Sequence, residues 1–352
     1  MCTIGTSKGN LTIAYRRFLM KAIIHDGVEG IDGLLYTEQQ DKLPGRGEVK
    51  VRLKAAGLNH RDLFLIAART KQDAPFILGS DGAGIIEAIG KDVTNLTVGT
   101  EVIINPCLGW EKRDQVPIVP AILGGPTDGT FAESVIIPQQ NAVLKPSYLT
   151  WEEAGVLSLS ALTAYRALFT RGNLQQGEHV LIPGIGGGVA TFATLMATAI
   201  GAKVSVTSRS EAKLQAALQL PLAQPIAHAF HSQDKWNNHL KSGSVDLILD
   251  SIGPATFDQY FDVIKPNGKI IMFGASSGDN ITIPARAIFF PQINITGTSM
   301  GSSEEFIAML QFMEQHALHP IIDTVFPLNE TAVAFQRMKR SEQLGNIAIK
   351  ID

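Results

Sequence analysis

Residues 179–202, "HVLIPGIGGGVATFATLMATAIGA", carry the clearest structural pattern of this chain. A short apolar strand ends at Pro183-Gly184, further glycines follow at 186, 187 and 188, and a helix with small residues near its start comes next. Such a turn lets the backbone approach a diphosphate closely, and the N terminus of the helix offers free N–H groups to it. The stretch therefore predicts a βαβ unit that binds a dinucleotide.

The spacing of the glycines departs from the usual pattern. Strict G-x-G-x-x-G fails because Val189 occupies the third glycine position, whereas a spacing longer by one residue fits Gly184, Gly187 and Ala190. A tight turn without a ligand is the alternative, but the strand before the turn and the helix after it favour a cofactor site. We expect the cofactor to contact residues from the turn and the helix start, namely Gly184, Gly186, Gly187, Gly188 and Val189.

The end of the next strand, "KVSVTS", indicates which dinucleotide binds. NAD sites place Asp or Glu there, roughly 20 residues after the turn, to accept hydrogen bonds from the ribose. This chain has Ser208, followed by Arg209 and Lys213. Because a hydroxyl and two cations suit a 2′-phosphate and a carboxylate repels it, we predict NADP(H) rather than NAD(H). Two solvated charges at a helix start are the alternative, and Glu211 in the same segment counts against the prediction.

The rest of the chain changes pattern near residue 150. Earlier residues read as short strands bounded by Gly or Pro, and "GEVKVRLKAAGLN" is predicted to break at Gly57. "TWEEAGVLSLSALTAYRALF" predicts one helix, with Thr150 as its N-cap and Gly172 beyond its end. Strands and helices then alternate, which predicts an α/β fold with a doubly wound parallel sheet covered on both faces.

Composition limits the function classes. A chain of 352 residues with 45% apolar residues is long enough for two domains. The net charge is −3 and no basic tract occurs, so nucleic acid is not expected as a partner. No apolar run reaches the roughly 18–20 residues of a membrane span. Cysteine occurs only as Cys2 and Cys107, which excludes a disulfide framework and favours the cytoplasm.

Several motifs occur in the order found in the medium-chain dehydrogenase/reductase superfamily, which residues 20–352 resemble. They are "AAGLNHRD", "LGSDGAG", "VGTEVI", "GTFAES", "LTAYRAL", "VLIPGIGGGVA", "VDLILDSIG" and "NGKIIMFG". The resemblance implies a GroES-like catalytic domain, residues 20–150 and 299–352, around a Rossmann domain, residues 151–298. Residues 1–19 are expected to be an N-terminal extension.

The resemblance also raises the question of a metal. The catalytic zinc ligands of the superfamily's alcohol dehydrogenases map to Asn59, Ser80 and Leu159, none of which is a normal zinc ligand. The structural zinc of those enzymes needs four clustered cysteines, and this chain has only Cys107 in that loop. No metal is therefore expected. The chain resembles the zinc-independent quinone oxidoreductase and enoyl reductase branch.

This branch implies an NADPH-dependent reductase that transfers hydride to a quinone or an α,β-unsaturated carbonyl. Two alternatives stay open: a zinc-type alcohol dehydrogenase or aldehyde reductase, and a non-catalytic NADPH-binding protein. Thr70 stands where the enoyl thioester reductases of the branch use a tyrosine as acid, so that acid is not expected here.

The catalytic candidates come from "NHRD". Asn59 is expected to orient substrate or water, with a turn-capping role as the alternative, and His60 to lie near the cleft as a possible proton donor. Arg61 falls where the zinc enzymes use a hydroxyl for proton relay, so that relay is not expected. Asp62 is expected to cap the following helix.

Further residues map to cofactor contacts of the family. They are Thr163 near the nicotinamide, Ser251 near the adenosine, Phe273, Gly274 and Ala275 under the nicotinamide ribose, Thr298, Ser299 and Met300 at the carboxamide, and Asn346 towards the phosphates. The stretch "PQINITGTS" resembles the edge strand through which family members pair, so a homodimer is expected.

Overall fold

A computed structural model describes residues 19–352, so the predicted extension lies outside the described residues except for Leu19. The strands are β1 (Leu19–His25), β2 (Leu34–Gln40), β3 (Glu48–Leu58), β4 (Phe76–Ile77), β5 (Asp81–Ile89), β6 (Glu101–Ile104), β7 (Cys107–Leu108), β8 (Ala121–Ile122), β9 (Ser134–Pro138), β10 (Ala142–Leu144), β11 (His179–Ile182), β12 (Lys203–Ser208), β13 (His228–His231), β14 (Val245–Asp250), β15 (Ile264–Met272), β16 (Asn294–Gly297), β17 (Ile322–Pro327) and β18 (Asn346–Lys350). The α-helices are α1 (His60–Ala67), α2 (Trp151–Gly155), α3 (Ser158–Tyr165), α4 (Gly188–Ala199), α5 (Glu211–Leu218), α6 (Phe257–Val263), α7 (Ala285–Phe289), α8 (Ser303–Gln315) and α9 (Thr331–Lys339).

The predicted βαβ unit is confirmed in a six-stranded parallel sheet of order β13-β12-β11-β14-β15-β16. Every residue of β11 is buried, as expected for a central strand with helices on both faces. The order reverses beside β11, and open α/β sheets bind ligands in the crevice at such a point. The carboxyl ends of β11, β12, β14 and β15 therefore define the cofactor side of the sheet.

A seven-stranded sheet forms the second core and is assembled from both ends of the chain. Strand β18 pairs antiparallel with β3, Ile347 opposite Leu58, and β3 also pairs with β5 and β9. Apolar residues of these strands pack together with Phe335 of α9. The last residues thus return to the β-rich half, in agreement with the GroES-like organisation that the sequence predicted.

The predicted break of the strand at Gly57 is wrong, because β3 continues through Gly57 to Leu58. A Cβ atom at residue 57 would lie 2.8 Å from Val156 Cα and 2.9 Å from Gly155 O. The glycine is needed for the close approach of α2, and it does not end the strand.

The single helix predicted from Thr150 to Gly172 is also wrong. Thr150 does cap α2, its side chain accepting a hydrogen bond from the N–H of Glu153, but α2 ends at Gly155. Helix α3 begins anew because the N–H of Leu159 donates to Asp81 Oδ1 at 2.8 Å. Residues Arg166–Arg171 then continue as a π-helical turn before Gly172.

Helix α8 shares a buried apolar cluster with α4. Its residues Phe306, Met309 and Met313 belong to the same buried cluster as Phe192 and Met196 of α4. The sequence-based division at residue 298 assigned this helix to the catalytic half.

The helices do not suit a bilayer. Among residues 19–352, none is both long enough and apolar enough to cross a membrane.

Candidate active site

The glycine turn leaves the start of α4 open. Gly184 has φ +77°, which side-chain-bearing residues rarely adopt, and the turn is fixed to β12 by the N–H of Ile185 donating to Thr207 O at 2.8 Å. The N-cap Gly187 has no side chain, so no side chain caps the 12-residue helix. The first N–H groups of α4 are thus available to an anion.

Two basic side chains lie against this turn. A Cβ at Gly186 would be 2.9 Å from Lys213 Nζ, and one at Gly187 would be 3.8 Å from His60 Cε1. The His60 side chain is accessible to water but stands inside the cleft, where partial desolvation and the charge of Lys213 lower the pKa of the imidazole. His60 therefore lies beside the glycine turn.

Asn346 and Ser160 approach the first residue of α4. A Cβ at Gly188 would overlap Asn346 Oδ1 and would lie 2.7 Å from Ser160 Oγ. Asn346 is buried, and its Nδ2 donates to Ile321 O at 3.2 Å. Glycine at 188 is consequently required by the close approach of these two side chains, of which Asn346 comes from the catalytic half.

The end of β12 carries the residues that we predicted to read the 2′-phosphate. Ser208 is buried, and its Oγ accepts from the N–H of Ser210 at 3.2 Å, while the Arg209 side chain is exposed. Glu211 is occupied elsewhere, since its carboxylate accepts from Gln215 Nε2 at 2.7 Å and contacts His231 Nε2 at 2.9 Å. The hydrogen bond from Gln215 lowers the pKa of Glu211, so this acid stays negatively charged and still counts against a 2′-phosphate.

Most of the other predicted cofactor residues follow strands of the parallel sheet, whereas Thr163 lies in α3. Phe273 follows β15 and donates its N–H to Asp250 O at 2.9 Å, and the backbone of Ser251 lies against Gly274 and the turn through Ala275. Thr298 donates its N–H to Met272 O at 2.8 Å and precedes exposed Ser299.

The last two predicted cofactor residues are held by protein groups. Met300 is buried against Cys107 and Trp110. Thr163 Oγ1 donates within its own helix to Leu159 O at 2.8 Å.

A buried polar network holds Asn59. Its Nδ2 donates to Asp81 Oδ2 at 3.0 Å, and its Oδ1 accepts from Ser160 Oγ at 3.0 Å. The backbone N–H of Asn59 donates to Asp62 Oδ2 at 2.8 Å, so Asp62 caps α1. Both ends of the Asn59 amide are thus bound by protein groups, and the residue ties α1 to β5 and α3.

Burial changes the acid strength of the two carboxyls in this network. It raises the pKa of Asp81 to about 7, against the opposing hydrogen bonds from Asn59 and Leu159. It likewise raises the pKa of Asp62 to about 6. The site therefore holds its carboxyls away from water.

Arg61 reaches across the site to Ser80. Its Nη1 donates to Ser80 Oγ at 2.8 Å and to Leu123 O at 3.3 Å, while Ser80 Oγ donates to Leu123 O at 2.9 Å. The nearest carboxylate oxygen, Asp62 Oδ1, is 4.0 Å away. The guanidinium thus lies beside Ser80, one of the three positions that the resemblance maps to zinc ligands.

The residues at the three mapped ligand positions do not fit zinc. Asn59 offers an amide already held by Asp81 and Ser160, Ser80 a hydroxyl bound to Arg61, and Leu159 an aliphatic side chain. Within residues 19–352, no three His, Cys, Asp or Glu side chains are placed to share a metal ion. Zinc sites use thiolate, imidazole or carboxylate ligands, so this donor set does not make one.

The long loop before residue 129 borders a hollow of ≈ 300 Å³. Its walls include Trp110, Ile118, Arg166, Thr298 and Ser299. Arg166 is buried, pairs with Glu305 Oε1 at 2.6 Å and lies 4.7 Å from the centre of the Trp110 ring. The hollow adjoins Thr298 and Ser299, which we predicted to lie at the carboxamide of the cofactor.

Sequence reasoning missed Ser160 and the central position of Asp81. Ser160 lies within an ordinary helical pattern and carries no motif, so no local signal indicates its bond to Asn59. Asp81 was visible only as the neighbour of Ser80. Its role emerges because β5, α1 and α3 meet at this point.

Comparison with known proteins agrees with the class that this fold and site define, an oxidoreductase that uses a nicotinamide dinucleotide. The family described as "Alcohol dehydrogenase GroES-like domain" matches residues 45–147, and the one described as "Zinc-binding dehydrogenase" matches residues 188–315. A zinc-type alcohol dehydrogenase-like protein of Schizosaccharomyces pombe is 33% identical over 95% of this chain and 99% of its own length. The chain belongs to the medium-chain dehydrogenase/reductase superfamily.

Two further proteins show the range of this superfamily. A crotonyl-CoA carboxylase/reductase of Cereibacter sphaeroides is 27% identical and covers 86% of this chain and 80% of its own length. The crystal structure of an NAD-dependent alcohol dehydrogenase has a TM-score of 0.86 and 31% identity, covering 95% of this chain and 100% of that one. The names of these proteins thus describe different substrates and reactions. The substrate of this chain has to be inferred from its own site residues.

Proposed function

We propose that the protein is an NADPH-dependent, zinc-independent reductase of quinones or α,β-unsaturated carbonyl compounds. The observation that carries the proposal is the donor set at Asn59, Ser80 and Leu159, which does not suit zinc. A conjugated acceptor is already electrophilic, so its reduction needs positioning and hydrogen bonding rather than a Lewis acid.

The cofactor site fits NADP(H). Bound reduced cofactor supplies a hydride from its nicotinamide. The open N terminus of α4, His60 and Lys213 would hold the diphosphate, and Ser208 and Arg209 the 2′-phosphate. The turns at Phe273–Ala275 and Thr298–Met300 would line the nicotinamide half.

The protein's own groups exclude water and fix orientation. Asn59, Asp81 and Ser160 tie α1, β5 and α3 together, so the wall of the cleft is rigid beside the acceptor. Trp110 and Met300 supply an apolar surface next to the hollow. No tyrosine stands at Thr70, which bonds Asp73 in an exposed turn, so we assign the final proton to water.

The relatives support conjugated acceptors without deciding the substrate. The crotonyl-CoA reductase is by its name an enzyme of an unsaturated thioester, whereas the structural neighbour is described as an NAD-dependent alcohol dehydrogenase. Both the acceptor and the cofactor of this chain therefore need a direct test.

The test measures oxidation of NADPH and NADH in parallel, with a quinone, cyclohex-2-enone and a simple aldehyde as acceptors. We expect turnover of the quinone or the enone, and with NADPH in preference to NADH. Turnover confined to the simple aldehyde would favour an alcohol dehydrogenase. Cofactor binding without turnover of any acceptor would favour a non-catalytic NADPH-binding protein.

A further inference from the structure

One nitrogen of the Arg61 guanidinium, Nη1, is hydrogen-bonded within the described residues, and the other two, Nε and Nη2, are not. Only Nη1 has acceptors among residues 19–352, Ser80 Oγ at 2.8 Å and Leu123 O at 3.3 Å. A guanidinium carries five N–H donors in a rigid fork, so the donors on Nε and Nη2 are left for another acceptor. The side chain is 20% exposed, so it is partly accessible to solvent.

The charge of Arg61 is not cancelled by a close ion pair. Asp62 Oδ1, at 4.0 Å from Nη1, is beyond hydrogen-bonding distance and has no partner among the described residues. Asp81, the other buried carboxyl, is bound to Asn59 and the N–H of Leu159. A partly desolvated cation with free donors is suited to receive an oxygen that gains negative charge.

Ser80 explains why the guanidinium stands here. The Ser80 hydroxyl, which is not a normal zinc ligand, accepts a hydrogen bond from Arg61 Nη1. The same hydroxyl donates a hydrogen bond to Leu123 O at 2.9 Å. A larger residue at 80 would fill the space that Arg61 uses, because Ser80 is fully buried. Ser80 and Arg61 thus form one hydrogen-bonded structural feature.

We propose that Arg61, bound to Ser80 at a position that the resemblance maps to a zinc ligand, binds the carbonyl oxygen of the acceptor and stabilises the negative charge that develops on it. This role rests on the proposed function. Hydride adds to the β-carbon, the C=C electron pair moves towards the carbonyl, and the oxygen becomes an enolate oxygen beside Arg61. Water then gives one proton to the α-carbon, so the acceptor gains two electrons and two hydrogens while the cofactor loses two electrons.

The first test uses 4-nitrophenol, whose phenolate resembles an enolate oxygen and absorbs visible light. It is titrated by absorbance in the presence of the wild-type protein, with and without NADP⁺. An adjacent cation lowers the pKa of an acid by favouring its anion. We expect the ionisation constant of bound 4-nitrophenol to rise about tenfold or more in the wild type, to keep part of this rise in Arg61→Lys and to lose it in Arg61→Gln.

Kinetics with cyclohex-2-enone and NADPH form the second test. Loss of one donor to a developing oxyanion costs roughly 100- to 1,000-fold in kcat, so Arg61→Gln should lose about that much. The Kd of NADPH should stay within about twofold, because Arg61 does not contact the glycine turn. Ser80→Ala, which leaves Leu123 O to hold the guanidinium, should lose less. Arg52→Gln, at an exposed arginine that pairs with Glu87, should match the wild type.

The two tests separate this role from the proposed function. Absence of turnover with every acceptor would end the proposed function, while the phenol titration would still decide whether Arg61 is an oxyanion site. An unchanged kcat in Arg61→Gln, an equal phenol shift in that variant, or no shift in the wild type would overturn the role of Arg61. If Arg61→Gln does not fold, Arg61→Lys and Ser80→Ala must show the graded losses, and wild-type behaviour in both would overturn the proposal.

Discussion

Asp81 is the residue on which the elements of the site converge. Its carboxylate accepts from Asn59 Nδ2 at 3.0 Å and from the N–H of Leu159 at 2.8 Å, and its backbone oxygen accepts from Thr130 Oγ1 at 2.7 Å. One buried side chain thus fixes α1, the start of α3 and β5. Because it is completely buried, its protonation is linked to folding.

Asp81→Asn should make stability less dependent on pH. Burial raises the pKa of Asp81 to about 7 from its ordinary value of 3.8, so the folded protein holds a proton that the unfolded chain releases over this interval. The stability from this carboxyl is complete below about pH 4 and is lost as the pH rises through about 7. Between about pH 5 and pH 8, the wild type should lose on the order of 3 kcal/mol more than Asp81→Asn in free energy of unfolding.

Denaturant unfolding at the two pH values measures this difference. Asp279→Asn, which changes an exposed carboxylate, is the control and should behave as the wild type. Equal pH dependence in Asp81→Asn and the wild type would show that Asp81 is ionised normally in the fold.

Arg209→Ala should weaken NADPH much more than NADH. The side chain is exposed at the end of β12, and a hydrogen bond to a charged group contributes about 1.5–3 kcal/mol. The Kd of NADPH should therefore rise roughly 10- to 100-fold, and that of NADH should change little. Fluorescence titration with both cofactors measures this, with Arg52→Ala as the remote control. Equal losses for the two cofactors would show that Arg209 does not bind the 2′-phosphate.

At the scale of elements, local patterns predicted the cofactor half well. The strand, the glycine turn and the helix from Gly188 were all predicted, since period and turn chemistry are visible in one stretch. The start of α3 was not, because it depends on Asp81, which is distant in sequence. Asn59 was expected to face the substrate, and only the fold shows that Asp81 and Ser160 hold its amide.

The packing of α2 on β3 gives a test at the same scale. Gly57→Ala should destabilise the fold by about 1–3 kcal/mol, because the added methyl group meets backbone atoms of Gly155 and Val156 that cannot move away freely. Gly45→Ala is the matched control, since only the flexible end of Glu48 lies near it. Thermal or denaturant unfolding compares them, and equal stability of the two variants would refute the tight contact.

At the scale of the molecule, the outer edge of the parallel sheet is open. Among the described residues, strand β16 pairs only with β15, on one side. In α7, which precedes β16, Phe289 is 55% exposed to solvent, and Phe290, directly after this helix, is 70% exposed. Unpaired edges and exposed aromatic side chains favour association. We therefore propose a homodimer joined through this edge.

Phe290→Asp should convert the dimer to a monomer, because it places a charge on the exposed patch without disturbing a buried contact. Light scattering after size-exclusion chromatography gives the mass of each variant. Val333→Asp, at an exposed position on α9, should leave the dimer intact. A monomeric wild type, or a Phe290→Asp protein that stays dimeric, would refute this interface.

The chain matches a family described as zinc-binding dehydrogenases, and we propose that it works without zinc. The most direct measurement is the zinc content per chain of wild-type protein purified without chelator, by elemental mass spectrometry on the sample used for the NADPH assays. We expect active protein with zinc far below one atom per chain, because Asn59, Ser80 and Leu159 do not bind it. One tightly bound zinc per chain, with activity lost on its removal and regained on its return, would contradict the account.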